Sequence, residues 1–237
     1  NCFTIILNNK IMIKKVKLLV LLFSISFYSI AQNAWSVYEW KVKPQDVSTV
    51  FNICNDYLSQ KGNVTEGTTV ALYEIMFAGD GYEATHTLNI YGDMDSMNKA
   101  YSTEQDSDWF LFIEKLNQFI SPVASLAGRA IKSYNADDDS APIHQLWVMN
   151  VSESGKFVEG WSNLRDKFPP DNFVELGTII SGREDGVTHY VLSAQQDFKD
   201  LVEGGNRSKA ESDAWRKFRS ERGETEMVRS FARRLVK

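Results

Sequence analysis

The sequence predicts an α+β protein built from two successive β-α-β-β-α-β units, a tandem pair of ferredoxin-like halves. Three observations predict it. The order of strand-like and helix-like periodicities runs twice along the chain. Landmarks recur at nearly constant spacing: Trp40 and Trp147 are 107 residues apart, Thr85-His86 and Thr188-His189 are 103 apart, and Trp109 and Trp215 are 106 apart. A polar, proline-terminated run, Asn135-Ala-Asp-Asp-Asp-Ser-Ala-Pro142, separates the two units as a linker would.

The first half, residues 32–135, opens on a β-rich run from Trp35 to Lys43. Pro44 then starts a helix, where its missing N–H costs nothing. Val47, Val50, Phe51, Cys54, Tyr57 and Leu58 follow at spacings of three and four, one apolar stripe of an amphipathic helix. Two β-rich runs, 70–77 and 84–91, flank Gly79-Asp80-Gly81, which marks a hairpin. A short helix over 94–100 leads into a longer one with the stripe Trp109, Phe112, Ile113, Leu116, Phe119 and Ile120. A strand over 129–134 closes the half.

After a linker over residues 136–142, the second half covers 143–237. It begins with a strand from Ile143 to Val151. A helix carries Phe157, Val158, Trp161 and Leu164, with Ser152 or Ser154 as its N-cap. Strands over 174–181 and 187–194 pair across the loop from Gly182 to Gly186. A short helix holds Phe198, Leu201 and Val202. A longer, charged one turns Trp215 and Phe218 inward and stops at Gly223. The last strand runs from Met227 to Val236.

The residues ahead of the first half read as upstream sequence and a secretory signal peptide, 1–31. Lys14, Lys15 and Lys17 precede the apolar run Leu18-Leu-Val-Leu-Leu-Phe23, and Ser29-Ile30-Ala31 offers small residues at a cleavage site. That run is shorter than the ~20 apolar residues of a membrane span. The expected mature protein, from Gln32, is exported to the periplasm or the cell exterior and has no stable membrane insertion. Removing four lysines and no acid takes the formal charge from −5 to −9. Such an acidic protein has no general attraction for nucleic acid. Cys54 alone remains after processing, so no internal disulfide forms, and its place on a helix stripe makes it a core residue.

A ferredoxin-like half buries one face of its sheet under its helices, and the other face needs a cover. Two tandem halves cover each other. In this arrangement the sequence resembles the dimeric α+β barrel superfamily with both subunits fused, which includes antibiotic-biosynthesis monooxygenase-like, EthD-like, haem-degrading and chlorite dismutase-like proteins. The resemblance covers nearly the whole mature chain and rests on element order. It implies a pseudo-dimer that acts as a monomer, with a ligand cavity between the halves.

Candidate ligand-binding residues are His86 and His189, then Tyr38, Trp40 and Trp147. Two readings of the histidine pair stand. They line the central cavity as proton acceptors or ligand contacts, or they fill a strand-start position inherited by duplication. His144, near the linker, is expected to be exposed. No catalytic residue is assigned, no metal site is expected because zinc-type spacings are missing, and no cofactor is expected. The haem-binding groups use a helical histidine, and neither long second helix here has one. The C-terminal arginines, among them Arg229, Arg233 and Arg234, alternate with acids and read as a salt-bridged outer face. The leading functional expectation is a small, partly apolar ligand held between the halves. The alternatives are a cofactor-independent monooxygenase of small aromatic substrates and an interaction protein with a filled core.

Overall fold

The computed structural model describes residues 33–102, 107–136, 141–183, 186–204 and 207–236. The signal segment and Asp137-Asp138-Asp139 of the linker lie outside the described residues. The first half contributes β1 (Asn33–Val42), α1 (Val47–Leu58), β2 (Thr68–Ala78), β3 (His86–Asp93), α2 (Met94–Ser102), α3 (Ser107–Leu116) and β4 (Ile120–Tyr134). The second contributes β5 (Ile143–Val151), α4 (Ser154–Lys167), β6 (Val174–Ser181), β7 (His189–Gln195), α5 (Phe198–Glu203), α6 (Lys209–Glu221) and β8 (Thr225–Leu235). Among the described residues, no helix is long and apolar enough to cross a membrane.

Eight strands close into one barrel in the order β1-β3-β2-β8-β5-β7-β6-β4, with β4 returning to β1. Each half keeps its own run, β4-β1-β3-β2 and β8-β5-β7-β6, the split βαβ arrangement with one strand inserted between two others. The halves join through β2–β8 and β4–β6. Every neighbouring pair is antiparallel, so β1 and β5, four steps apart round the ring, run in the same sense. The pseudo-twofold axis relating the halves therefore runs along the barrel axis. The predicted α+β class and tandem ferredoxin-like order are what the chain adopts.

Strand alternation divides the apolar residues into three clusters. Val37, Leu126, Val148, Ile179, Leu192 and Phe231 point into the barrel. Trp40, Val50, Cys54, Leu72, Leu88, Phe112 and Leu116 fill the layer between the first half and its helices. Met149, Phe157, Trp161, Leu164, Leu176 and Phe218 do the same in the second. The predicted helix stripes supply these outer layers. Trp161 and Phe157 are 1 % exposed, and each such burial is worth roughly 1.5–3 kcal/mol relative to exposure.

Three local expectations are corrected. The stripe of α3 was read through Ile120, but the helix ends at Leu116 and β4 begins at Ile120. Pro122 and the small residues after it disguise this long strand. The proline is tolerated because it faces Trp40 beside a bulge at Val123 of β4, where ladder pairing is interrupted. Neither Ser152 nor Ser154 caps α4. Ser152 Oγ donates to the Glu224 carbonyl at 2.9 Å, and Ser154 Oγ bonds His189 Nε2 at 2.9 Å. The Trp40–Trp147 match is out of register by two. Thr85 N–H donates to the Trp40 carbonyl and Thr188 N–H to that of Met149, so Trp40 corresponds to Met149.

Candidate functional site

Inward-facing residues leave a cavity of about 160 Å³ within the barrel. It lies toward the end where Asn33 and Ala136 are exposed. At the other end Tyr82 stacks on Phe231, ring centroids 4.9 Å apart. Most of the wall is apolar: Val37, Leu146, Leu192, Ile179, Trp35 and Phe173. Polar groups are set into it on two sides.

On the first side stands Arg233, 4 % exposed. Its guanidinium lies 4.1 Å from the centroid of Tyr73, a cation–π contact that is stronger away from water. Nη1 donates to Asn89 Oδ1 at 3.0 Å and to Thr87 Oγ1 at 3.3 Å. Nε is buried without a hydrogen-bond partner among the described residues. His144 is the register partner of Arg233 across β5–β8 and packs on the same Tyr73 ring at 5.0 Å. Burial, then the Arg233 charge, pushes its imidazole down to about 3, against a hydrogen bond with the Ala141 backbone. The ring is neutral at physiological pH, and its buried Nδ1 also lacks a partner among the described residues.

The carboxylates in the wall are engaged elsewhere. Glu39, 2 % exposed, accepts from Arg229 Nη2 at 3.3 Å. Glu175 accepts from the Tyr190 hydroxyl at 2.5 Å and from Ser133 Oγ at 2.9 Å. Burial raises the Glu175 carboxyl, while these two donors hold it down.

The strand registers show how the halves diverged here. His144 pairs with Arg233 as Trp35 pairs with Gly128, and Val148 pairs with Arg229 as Glu39 pairs with Ala124. Arg233 thus stands where the first half has Gly128, and His144 where it has Trp35. A side chain at Gly128 would run into the Trp35 indole. Likewise Tyr73 faces Thr87, while Gly177 faces Tyr190. A Cβ at Gly177 would clash with Cε1, Cζ and the hydroxyl of Tyr190. One side of the lumen is filled by Trp35 of the first half and Tyr190 of the second, which meet edge-on at 5.1 Å. The other presents the Arg233–His144–Tyr73 group.

None of the five residues expected at the ligand site lines this lumen. Tyr38 and Trp40 sit between inward residues of β1 and turn to the helices: Tyr38 bonds the Tyr101 hydroxyl at 2.9 Å, and Trp40 joins the first helix-side cluster. His86, the register partner of Trp40, shares that outer face. It lines a separate cleft of about 390 Å³ beside α1, with Phe51, Asn52 and Glu74. His189 is bonded by Ser154 and packs on Phe157 at 5.9 Å, under α4. Trp147 is half-buried between the inward residues Leu146 and Val148. Structure brings Tyr38, Trp40 and His86 together in one half and keeps His189 and Trp147 in the other.

The repeated Thr-His dipeptide is a strand-start clasp. Thr85 Oγ1 accepts from Val42 N–H at 2.9 Å, and Thr188 Oγ1 accepts from Val151 N–H at 3.0 Å. Each threonine hydroxyl also meets Nδ1 of the following histidine, at 3.0 Å and 2.8 Å. Burial lowers both imidazoles; the Glu74 charge partly offsets this at His86, and the Arg183 charge adds to it at His189.

Two further corrections concern residues that sequence reasoning placed outside. His144 is 6 % exposed, within the lumen. Arg229 and Arg233 face inward on either side of Phe231, whereas Arg234 faces outward and pairs with Glu74 at 2.6 Å. The period of two through Arg229, Phe231 and Arg233 was the available signal. Read as a mixed charge run, it concealed an inward stripe. The residues do not fit a haem: His86, His144 and His189 all stand on strands, and about 160 Å³ is far too little for a porphyrin.

No family model matches the chain, and no curated protein resembles it in sequence. Solved structures do. A presumed monooxygenase from Fusobacterium nucleatum is 16 % identical with a TM-score of 0.57, over 87 % of this chain and 94 % of that one. A presumed monooxygenase from Lactobacillus acidophilus is 10 % identical with a TM-score of 0.57, over 85 % and 94 %. An anthrone oxidase-like protein is 11 % identical with a TM-score of 0.52, over 87 % and 92 %. At such identities the likeness is one of fold alone.

Proposed function

We propose that the barrel lumen binds a small organic molecule of about one ring. The observation that carries this reading is the Arg233–His144 pair: two buried polar groups with open hydrogen-bonding atoms, in a mostly apolar cavity of about 160 Å³. A cavity of ~150 Å³ takes one benzene, and buried polar atoms in proteins normally have partners. A ligand is one way to supply them. The open lumen weighs against a filled-core interaction protein. The test is native mass spectrometry of the purified chain beside Leu192→Trp, which plugs the cavity. A retained small molecule in the wild type, lost in the variant, is expected. A ligand-free wild type that gains no thermal stability from single-ring compounds would overturn the reading.

A second reading, cofactor-independent oxygenation of a small aromatic substrate, is favoured by the oxygenase and oxidase descriptions of the fold neighbours and by His144. A neutral imidazole with an open nitrogen can accept a substrate proton, and the neighbouring guanidinium can hold the resulting anion. His144 is a weak base while Arg233 is uncompensated, and a bound anion would raise its proton affinity. Substrate-dependent dioxygen uptake, abolished in His144→Phe with binding retained, is the expected result. Export also remains a proposal, supported by the basic and apolar residues 14–31.

A further inference from the structure

We propose that the ligand of the lumen is an organic monoanion, an aromatic monocarboxylate, whose charged end docks on Arg233. This rests on the reading that the lumen binds a small molecule, and it assigns that molecule's chemistry.

The argument starts from charge. A guanidinium 4 % exposed has lost most of its hydration, and a buried charge is costly unless paired. No carboxylate lies within 4 Å of Arg233 among the described residues, although ion pairs are seen for Arg229 and Arg234 on the same strand. The two acids in the lumen wall do not serve it. Glu39 is bonded to Arg229, and both Glu175 oxygens accept from Tyr190 and Ser133. The hydrogen-bond and ring partners of Arg233 are neutral, the Asn89 amide, the Thr87 hydroxyl and the Tyr73 ring, and the Glu39 charge acts on it from beyond ion-pair distance. Two guanidiniums and one carboxylate, Glu39, therefore share this side of the lumen, an excess of one positive charge. Arg233 lines the cavity, and its Nε has no hydrogen-bond partner among the described residues.

The rest of the cavity sets the shape. Leu146, Leu192, Val37 and Ile179 offer nothing to a second charge, and Trp35 and Phe173 supply aromatic walls. The volume holds one ring. A carboxylate on a single ring matches both the charged side and the apolar remainder. His144 Nδ1, beside Arg233, can accept a hydrogen bond from a hydroxyl next to the carboxylate.

The experiment is isothermal titration of the full chain with benzoate and with benzamide, its neutral counterpart of the same shape. Benzoate is expected to bind at least tenfold more tightly. Arg233→Gln should abolish that preference and Arg233→Lys should keep part of it, with circular dichroism confirming that each variant is folded. Quenching of tryptophan fluorescence by benzoate, reduced in Trp35→Phe, locates the probe in the lumen whether or not the Gln variant folds. Equal binding of the two probes overturns the anion assignment and leaves lumen binding intact. A benzoate preference that survives in folded Arg233→Gln overturns the role of Arg233. A small molecule retained in native mass spectrometry while neither probe binds at millimolar concentration overturns the monocarboxylate assignment alone.

Discussion

Arg233 stands 4.1 Å above the ring of Tyr73, and no acidic side chain among the described residues closes an ion pair with it. Two residues along the same strand direction, Phe231 separates it from Arg229, whose guanidinium is paired with buried Glu39. These two inward arginines and outward Arg234 make a graded series within one strand.

Arg229→Ala leaves Glu39 charged, 2 % exposed and without this ion pair. Breaking a buried pair in this way costs roughly 3–5 kcal/mol. Arg234→Ala removes an exposed pair and should change stability by no more than about 1 kcal/mol. Urea unfolding of both variants checks the contrast. Equal losses would mean that the Glu39–Arg229 pair is solvated in solution.

Thr85→Val and Thr188→Val each remove the acceptor of a strand-end N–H, that of Val42 and that of Val151. Each should cost about 1–3 kcal/mol, the usual penalty for stranding a buried donor. The sites lie in different halves, so the double variant should show the sum of the single losses. Binding of a lumen probe should be unchanged in either folded single variant, because both threonines act on the strand ends.

Gly177→Ala should be among the most damaging single-methyl additions in the barrel. The new carbon clashes with the Cε1–Cζ edge of Tyr190, whose hydroxyl is bonded to Glu175. Overpacking of this kind typically costs about 1–3 kcal/mol. The double variant Gly177→Ala/Tyr190→Phe should not restore stability, because the ring stays in place. Tyr190→Ala should remove most of the additional penalty of Gly177→Ala. A double-mutant cycle by thermal denaturation measures this coupling.

The pH dependence has a definite sign. His144 binds its proton at about 3 in the folded state and near 6.5 when unfolded. Between these values the unfolded chain carries more protons, so stability falls as the pH is lowered through that window. The full difference is on the order of 5 kcal/mol. His86 and His189 shift in the same direction. Glu175, raised by burial, acts oppositely and favours the folded state as pH falls. The difference between wild type and His144→Phe isolates the His144 contribution. It should vanish above pH 7, grow as the pH falls through the window and level off below about pH 3. An unfolding curve whose acid loss is the same in both proteins would show that His144 is solvated.

The fold was legible because helix and strand periods survive in the outer layers. The stripes through Val50 and Cys54, and through Phe157, Trp161 and Leu164, are set by burial against a sheet, which leaves a clean pattern. The β4 strand was half legible, since Pro122 and its small neighbours carry little strand propensity and sit beside a bulge at Val123. The site was not legible for a different reason. Tryptophans and paired histidines suggest a lining, but a one-residue parity places Trp40 outside and Glu39 inside. That parity depends on closure of the barrel, which no local pattern announces. Arg229 and Arg233 look like surface charges until β8 is seated between β2 and β5.

Running the pseudo-twofold axis down the middle of the lumen has a consequence for how such a cavity can specialise. In an assembly of two identical chains, every wall residue faces its own copy, and a gene can add charges there only in pairs. A lone arginine would arrive as two repelling guanidiniums. Covalent joining of the units makes each wall position independently mutable. Gly128 and Arg233, or Trp35 and His144, can then be different residues at related places. The cavity thereby acquires a head and a tail, and a ligand with unlike ends can be held in one orientation.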